Sequence, residues 1–282
     1  MSSTILILGA IAGFTIFLGL PIGRLRNPPV GLKVFLNAAA TGVLLFLLWD
    51  VLTKAVEPVT HALTAAAIDH RGSWLSFAGL AGTFVLCITV GLMSLVFYDR
   101  WMNARASHAA HAGPGAMAVD ELRLSRWNLA APGRRLALMI SVGIGAHNFS
   151  EGLAIGQSAA TGAIGLALVL VVGFGLHNAT EGFGIVAPLA SQGERPGWGF
   201  LAVLGLIGGG PTAVGTFVGQ SFVNDTVFLG FLALAAGSIL YVVVQLLAVG
   251  ARFGRNELMM WGLLLGLFAG FGTDFVLTAA GA

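Results

Sequence analysis

Charge is scarce in this sequence. Asp, Glu, Lys and Arg supply 9% of its residues, against about 25% in a soluble domain, so the chain cannot cover an ordinary aqueous surface. The formal net charge is only +2, which leaves no basic face for nucleic acid. Lysine occurs twice, at Lys33 and Lys54. Neither closes a Gly-x-x-x-x-Gly-Lys-Ser/Thr phosphate loop, so ATP-driven pumping by this chain alone is not expected. A single cysteine, Cys87, excludes an intramolecular disulfide and reads as a small core residue. No basic residue precedes the first apolar stretch, residues 5–20, and that stretch ends at Pro21-Ile22-Gly23-Arg24. A cleaved signal peptide is therefore not expected.

Apolar residues fill the space that charge leaves, at 57% of the chain. They fall into eight long runs, roughly 4–22, 33–54, 74–98, 135–157, 163–188, 198–220, 226–250 and 258–279. Runs of about 18 or more apolar residues read as membrane-crossing helices. They are continuous and too long for the alternating strands of a β-barrel. Forty-one glycines suit close helix–helix packing in a bilayer. The expected fold is an all-α integral membrane protein, one domain over 1–282, with eight crossings in a multi-pass cell-membrane arrangement. Twelve of the fourteen Lys and Arg residues lie after the first, third, fifth and seventh runs; Lys54 and Arg71 alone lie on the other side. Basic loops stay cytoplasmic, which places both termini outside. The longest loop, about 99–134, is then cytoplasmic, and its Gly113-Pro114-Gly115 and alanines predict flexibility. Its His108-x-x-His111 reads either as two solvated histidines or as a weak metal tether.

The informative feature is a repeat. Gly143-Ile144-Gly145-Ala146-His147-Asn148-Phe149-Ser150-Glu151-Gly152 returns thirty residues later as Gly173-Phe174-Gly175-Leu176-His177-Asn178-Ala179-Thr180-Glu181-Gly182. The copies fall on adjacent, oppositely directed runs, as inverted halves meeting near the bilayer midplane would. His147 and Glu151 are four apart, so they are neighbours on one helix face, with about 5–6 Å between Cβ atoms. Asn148 borders that face, and His177, Asn178 and Glu181 repeat the arrangement. Gly143 and Gly173, four before each His, are expected to let the two motif helices close together. A carboxylate at a helix centre costs about 2.5–3.5 kcal/mol on insertion scales, and no Lys or Arg lies within the runs, other than at their end residues, to offset Glu151 and Glu181. A divalent cation would neutralise both. Imidazole, carboxylate and amide oxygen together suit Zn²⁺, Fe²⁺ or Mn²⁺ better than Mg²⁺ or Ca²⁺. The bland alternative is polar packing glue within the bundle.

At these residues the chain resembles the ZIP family (Zrt/Irt-like proteins) of metal transporters. His147-Asn148-Phe149-Ser150-Glu151-Gly152 and His177-Asn178-Ala179-Thr180-Glu181-Gly182 look like that family's fourth- and fifth-helix signatures. The eight-span plan, outward termini and His-containing loop are similar as well. The resemblance implies a transport site built from those two helices, with Zn²⁺ or Fe²⁺ as usual cargo. The chain departs from the pattern twice. Ser150 and Thr180 stand where many members carry Pro before the motif Glu, and their hydroxyls are expected to bond to the carbonyl four residues back and bend the helix less sharply. Gly208-Gly209-Gly210-Pro211 lacks the carboxylate that two-metal members place before the Pro of span six, so one metal is expected.

Three functions compete. The first is a secondary transporter moving a divalent transition metal toward the cytoplasm, not an enzyme and needing no cofactor beyond its cargo. The second is an intramembrane metal-dependent hydrolase using the same ligands, although no His-Glu-x-x-His pair is present. The third is a metal sensor, for which no loop is long enough to form a regulatory domain. Expected partners are the divalent ion and the lipid bilayer; a homodimer is left open. Asp50 reads either as an entry carboxylate or as an interfacial residue near Lys54. Gln245 reads as packing glue, and His61 and His70 as solvated. Trp49, Trp74, Trp101, Trp198 and Trp261 fall near run ends, as an interfacial aromatic belt does.

Overall fold

The structure is a computed structural model that describes residues 3–25, 29–111, 131–160, 162, 164–192, 195–221 and 224–279. Among these residues there are eight long helices and no strand. They are α1 (Ser3–Phe14), α2 (Val30–Ala67), α3 (Trp74–His111), α4 (Pro132–Ala160), α5 (Ile164–Gln192), α6 (Trp198–Gly219), α7 (Asp225–Ala251) and α8 (Asn256–Ala279). After α1 the backbone tightens into two 3₁₀ turns, Thr15–Leu18 and Leu20–Arg24, where Pro21 removes a backbone donor.

Seven segments are long and apolar enough to cross a membrane: Ser3–Arg24, Val30–Ala67, Trp74–Trp101, Ile164–Ala190, Trp198–Gly219, Asp225–Ala251 and Asn256–Val276. This is consistent with an all-α membrane protein. Large apolar side chains face outward, including Leu75, Leu86, Val172, Phe268 and Phe275, a pattern water would penalise and lipid would not. The fourth expected crossing, α4, is absent from the seven. It is long enough, but it carries the polar motif and two arginines at its start. Along α4 only Pro132, Val142 and Ala160 are exposed. A helix so enclosed by others is not required to be apolar all round.

The packing pairs recur. α1 lies against α5 as α6 lies against α4; α2 lies against α8 as α7 lies against α3; and α2 meets α5 as α7 meets α4. Glycine sets the closest of these approaches. A Cβ on Gly152 of α4 would meet the Thr212 carbonyl of α6, and one on Gly182 of α5 would meet the Ile16 carbonyl. Gly143 does not serve the α4–α5 seam as expected, since its Cβ would meet Ser238 of α7 at 3.1 Å. The motif helices are drawn closest to α6 and to the α1 segment, and the glycines that do this include Gly145, Gly152 and Gly156 on α4 and Gly182 on α5.

Two expected boundaries move. α3 continues to His111, so the expected loop is helical over 99–111; residues 112–130, to which most of the flexibility expectation applies, lie outside the described residues. α2 continues to Ala67, which puts Trp49 in mid-helix and not near an end. There it packs on Phe46 and Phe271, with ring centroids 5.9 and 5.2 Å away. Trp74 and Trp198 do open their helices, and Trp198 carries the Arg24 guanidinium 4.4 Å above its ring.

Candidate metal centre

All six motif residues are buried. His147, Asn148 and Glu151 on α4 and His177, Asn178 and Glu181 on α5 have between 0% and 4% of their surface exposed. The helices bring the two copies together. His147 Nε2 lies 3.2 Å from Glu151 Oε1 on its own helix and 3.9 Å from Glu181 Oε1 on the other. The His147 and His177 ring centroids are 6.2 Å apart. The four-residue spacing predicts the first contact; the second requires α4 and α5 to pack with their motifs level.

The asparagines are held differently. Asn148 Nδ2 donates to the Gly208 carbonyl of α6 at 3.0 Å, and Asn178 Nδ2 donates to the Ala12 carbonyl of α1 at 3.0 Å. Each amide is thus turned so that its oxygen is left over. Both Oδ1 atoms are buried without a hydrogen-bond partner. Asn148→Ala removes a cross-helix bond to a carbonyl inside α6, and Asn178→Ala removes one to the Ala12 carbonyl, which also accepts from Thr15 Oγ1 at 2.7 Å, so each should lower stability by about 0.5–1.5 kcal/mol. Thermal melting in detergent checks this, and unchanged melting would show that the amides anchor nothing.

The other motif atoms are in the same condition. Both oxygens of Glu151 and of Glu181, both ring nitrogens of His147, Nε2 of His177 and Oγ of Ser150 are buried without a well-aligned hydrogen bond, although Glu181 interacts with the Asn148 amide and Glu151 with His147. His147 Nε2 is near enough to Glu151 to count as an ion pair by distance, yet the contact is not aligned as a hydrogen bond. Ten of the twelve such atoms among the described residues belong to the repeat. Thr180 differs from Ser150, donating to the His177 carbonyl at 2.7 Å, three residues back and not four.

Among the described residues no Lys or Arg pairs with Glu151 or Glu181, and no group of three or more His, Cys, Asp or Glu stands arranged to hold a metal ion. The donor set is nonetheless one-sided. Carboxylate oxygens, amide oxygens and imidazole nitrogens converge, and a buried carboxylate with no counter-charge is costly. Two donors on one tetrahedral Zn²⁺, each about 2.0–2.1 Å from it, stand about 3.3 Å apart. That is close to the 3.2 Å between His147 Nε2 and Glu151 Oε1.

No known family model matches this chain, and no curated protein matches it either.

Asp50 is a further carboxylate that the sequence places inside an apolar run. It is buried on α2 and accepts a hydrogen bond from Lys54 Nζ at 2.7 Å. It also interacts electrostatically with His147, His177 and Glu181. The sequence concealed one neighbour. Phe46, fully buried one turn before Asp50, sets its ring 5.6 Å from that of His177. Four-residue spacing back from Asp50 was the available signal. At the other end of α4, Arg135 Nε bonds Asp99 Oδ1 of α3 at 3.0 Å, tying the start of the motif helix to a neighbour.

Proposed function

We propose that this chain is a secondary transporter that carries a divalent transition metal through the membrane toward the cytoplasm, with Zn²⁺ the first cargo to test, then Fe²⁺ and Mn²⁺. The observation that supports this most is the convergence of buried acceptor atoms from both copies of the repeat, with no Lys or Arg among the described residues paired with them. His147, Glu151, His177 and Glu181 would bind the ion, and the oxygens of Asn148 and Asn178 lie on the same two helices. The resemblance of both motifs to the ZIP signatures points the same way. In this reading α4 is the eighth crossing, shielded from lipid by its neighbours, and both termini face out. The recurring packing pairs support two halves related by exchange of α1 with α6, α2 with α7, α3 with α8 and α4 with α5. Such inverted halves suit alternating access around a central site.

The test is purified protein in sealed proteoliposomes with Zn²⁺ outside and a zinc dye inside. A transporter fills the lumen and an ionophore abolishes the gradient. A hydrolase or a sensor with the same site binds the metal and leaves the lumen empty, and that result would reject the proposal.

The stoichiometry should be one tightly held ion per chain. Two dications would need more negative charge than Glu151 and Glu181 supply, and Gly208-Gly209-Gly210 adds none. Equilibrium dialysis that retains two tightly held Zn²⁺ per chain would contradict this.

A further inference from the structure

One face of α2 joins the central site to a cavity at the far end of that helix. Phe46, Asp50, Lys54, Glu57 and His61 are four, four, three and four residues apart, a spacing that keeps them on one side of a helix. From Phe46 to His61 they cover roughly 22 Å at a rise of 1.5 Å per residue. Exposure rises in order along that line. Phe46 is fully buried, the Asp50 side chain is 8% exposed, the Lys54 side chain is 42% exposed, and Glu57 and His61 are open to solvent. Glu57 and His61 line a cavity of about 440 Å³, which Asp225 at the start of α7 also lines. Pro58, inside α2 and beside the same cavity, has no N–H and so leaves the Lys54 carbonyl without its helical donor.

We infer that this face is the cation's way in, that Asp50 is an entry ligand for the divalent ion, and that the Lys54 ammonium is a tethered stand-in which the incoming ion displaces. The inference rests on the transport reading above.

A buried carboxylate between water and a site rich in acceptors needs a counter-charge, and Lys54 supplies it from one turn away. Lysine suits a temporary role. Its ammonium is a compact point charge on a flexible stem, and nearly half of the side chain already reaches solvent. Swinging it fully into water costs little packing. An arriving dication offers Asp50 twice the charge. The acceptors that it meets next are His177 beside Phe46 and then Glu181 and Glu151. The pair is also unlike a purely structural one, because its lysine half is not enclosed.

The experiment is Zn²⁺ uptake by wild type, Lys54→Gln, Asp50→Asn, Asp50→Glu and the Asp50→Asn/Lys54→Gln double variant in proteoliposomes. Metal is supplied on the side of the α2–α3 connection, and KM and kcat are read separately. Lys54→Gln should lower KM by about three- to tenfold, and Asp50→Asn should raise it by about tenfold, since tenfold corresponds to roughly 1.4 kcal/mol. For both, the larger change should fall on KM, which reports the entry step, and the smaller on kcat. Asp50→Glu should stay near wild type. Adding Lys54→Gln to Asp50→Asn should change nothing further, because the lysine acts through that carboxylate. An unchanged or raised KM in Lys54→Gln, or additive effects in the double variant, would overturn the inference. Melting curves identify any variant that misfolds, and Asp50→Glu and Lys54→Gln then still decide the matter. Glu181→Gln, run alongside, separates the two levels: if it abolishes uptake while Lys54→Gln leaves KM unchanged, only the entry role falls. If Glu181→Gln transports normally, the central-site reading falls, and the entry role with it.

Discussion

Glu151→Gln and Glu181→Gln, each made alone, should cut Zn²⁺ uptake by about 100-fold, the loss expected when a metal site is deprived of an essential group. Their melting temperatures in metal-free detergent should not fall. The two outcomes together are diagnostic. The protein contacts of these carboxylates are few, the His147 ring at 3.2 Å from Glu151 and 3.9 Å from Glu181 and the Asn148 amide beside Glu181, so an amide of the same shape gives up little and removes a charge that burial disfavours. A carboxylate retained for structure would behave in the opposite way, with uptake lost because the bundle loosens. Uptake within about twofold of wild type in both variants would remove the motif from the transport path.

The second large effect is steric. Gly152→Ala and Gly182→Ala should each destabilise the protein by about 1–3 kcal/mol or more, as overpacking of a filled interior does, and uptake should fall with the folded fraction. The added Cβ would run into a backbone carbonyl, Thr212 in one case and Ile16 in the other. Backbone cannot swing aside as a long side chain does. Gly272→Ala on α8 is the matched control, because a Cβ there meets nothing within 4 Å. It should melt at or above the wild-type temperature, since alanine is the better helix former. Equal melting of all three variants would show that the tight seams can relax.

The sequence announced most of the helices because long apolar runs have few alternatives in a chain with so little charge. It also announced the six motif residues, because His and Glu four apart inside such a run are expensive by accident and appear twice. What it could not announce was direction around each helix axis. Gly143 and Gly173 were expected to close the α4–α5 seam, but the Gly143 face meets Ser238 of α7. Periodicity says which residues share a face and is silent on which neighbour that face meets. The length of α2 was hidden for a related reason. Beyond Lys54 the apolar run is broken by Glu57, Pro58 and His61, yet the helix continues and carries Glu57 and His61 onward to the cavity they line. Hydropathy also leaves α4 out of the membrane-length set, although it packs in the middle of the bundle. A transfer scale assumes that a helix meets lipid, and this one meets protein on nearly every side.

The two asparagine anchors tie the orientation of one amide to α6 and of the other to α1. Asn148 can keep its oxygen where it is only while α6 holds station against α4, and Asn178 only while α1 holds station against α5. A sliding of either neighbour must break the bond or drag the amide along with it. The two halves of the centre are therefore clamped from opposite flanks by separate parts of the bundle. A movement confined to one flank reorients a single amide and leaves the other undisturbed.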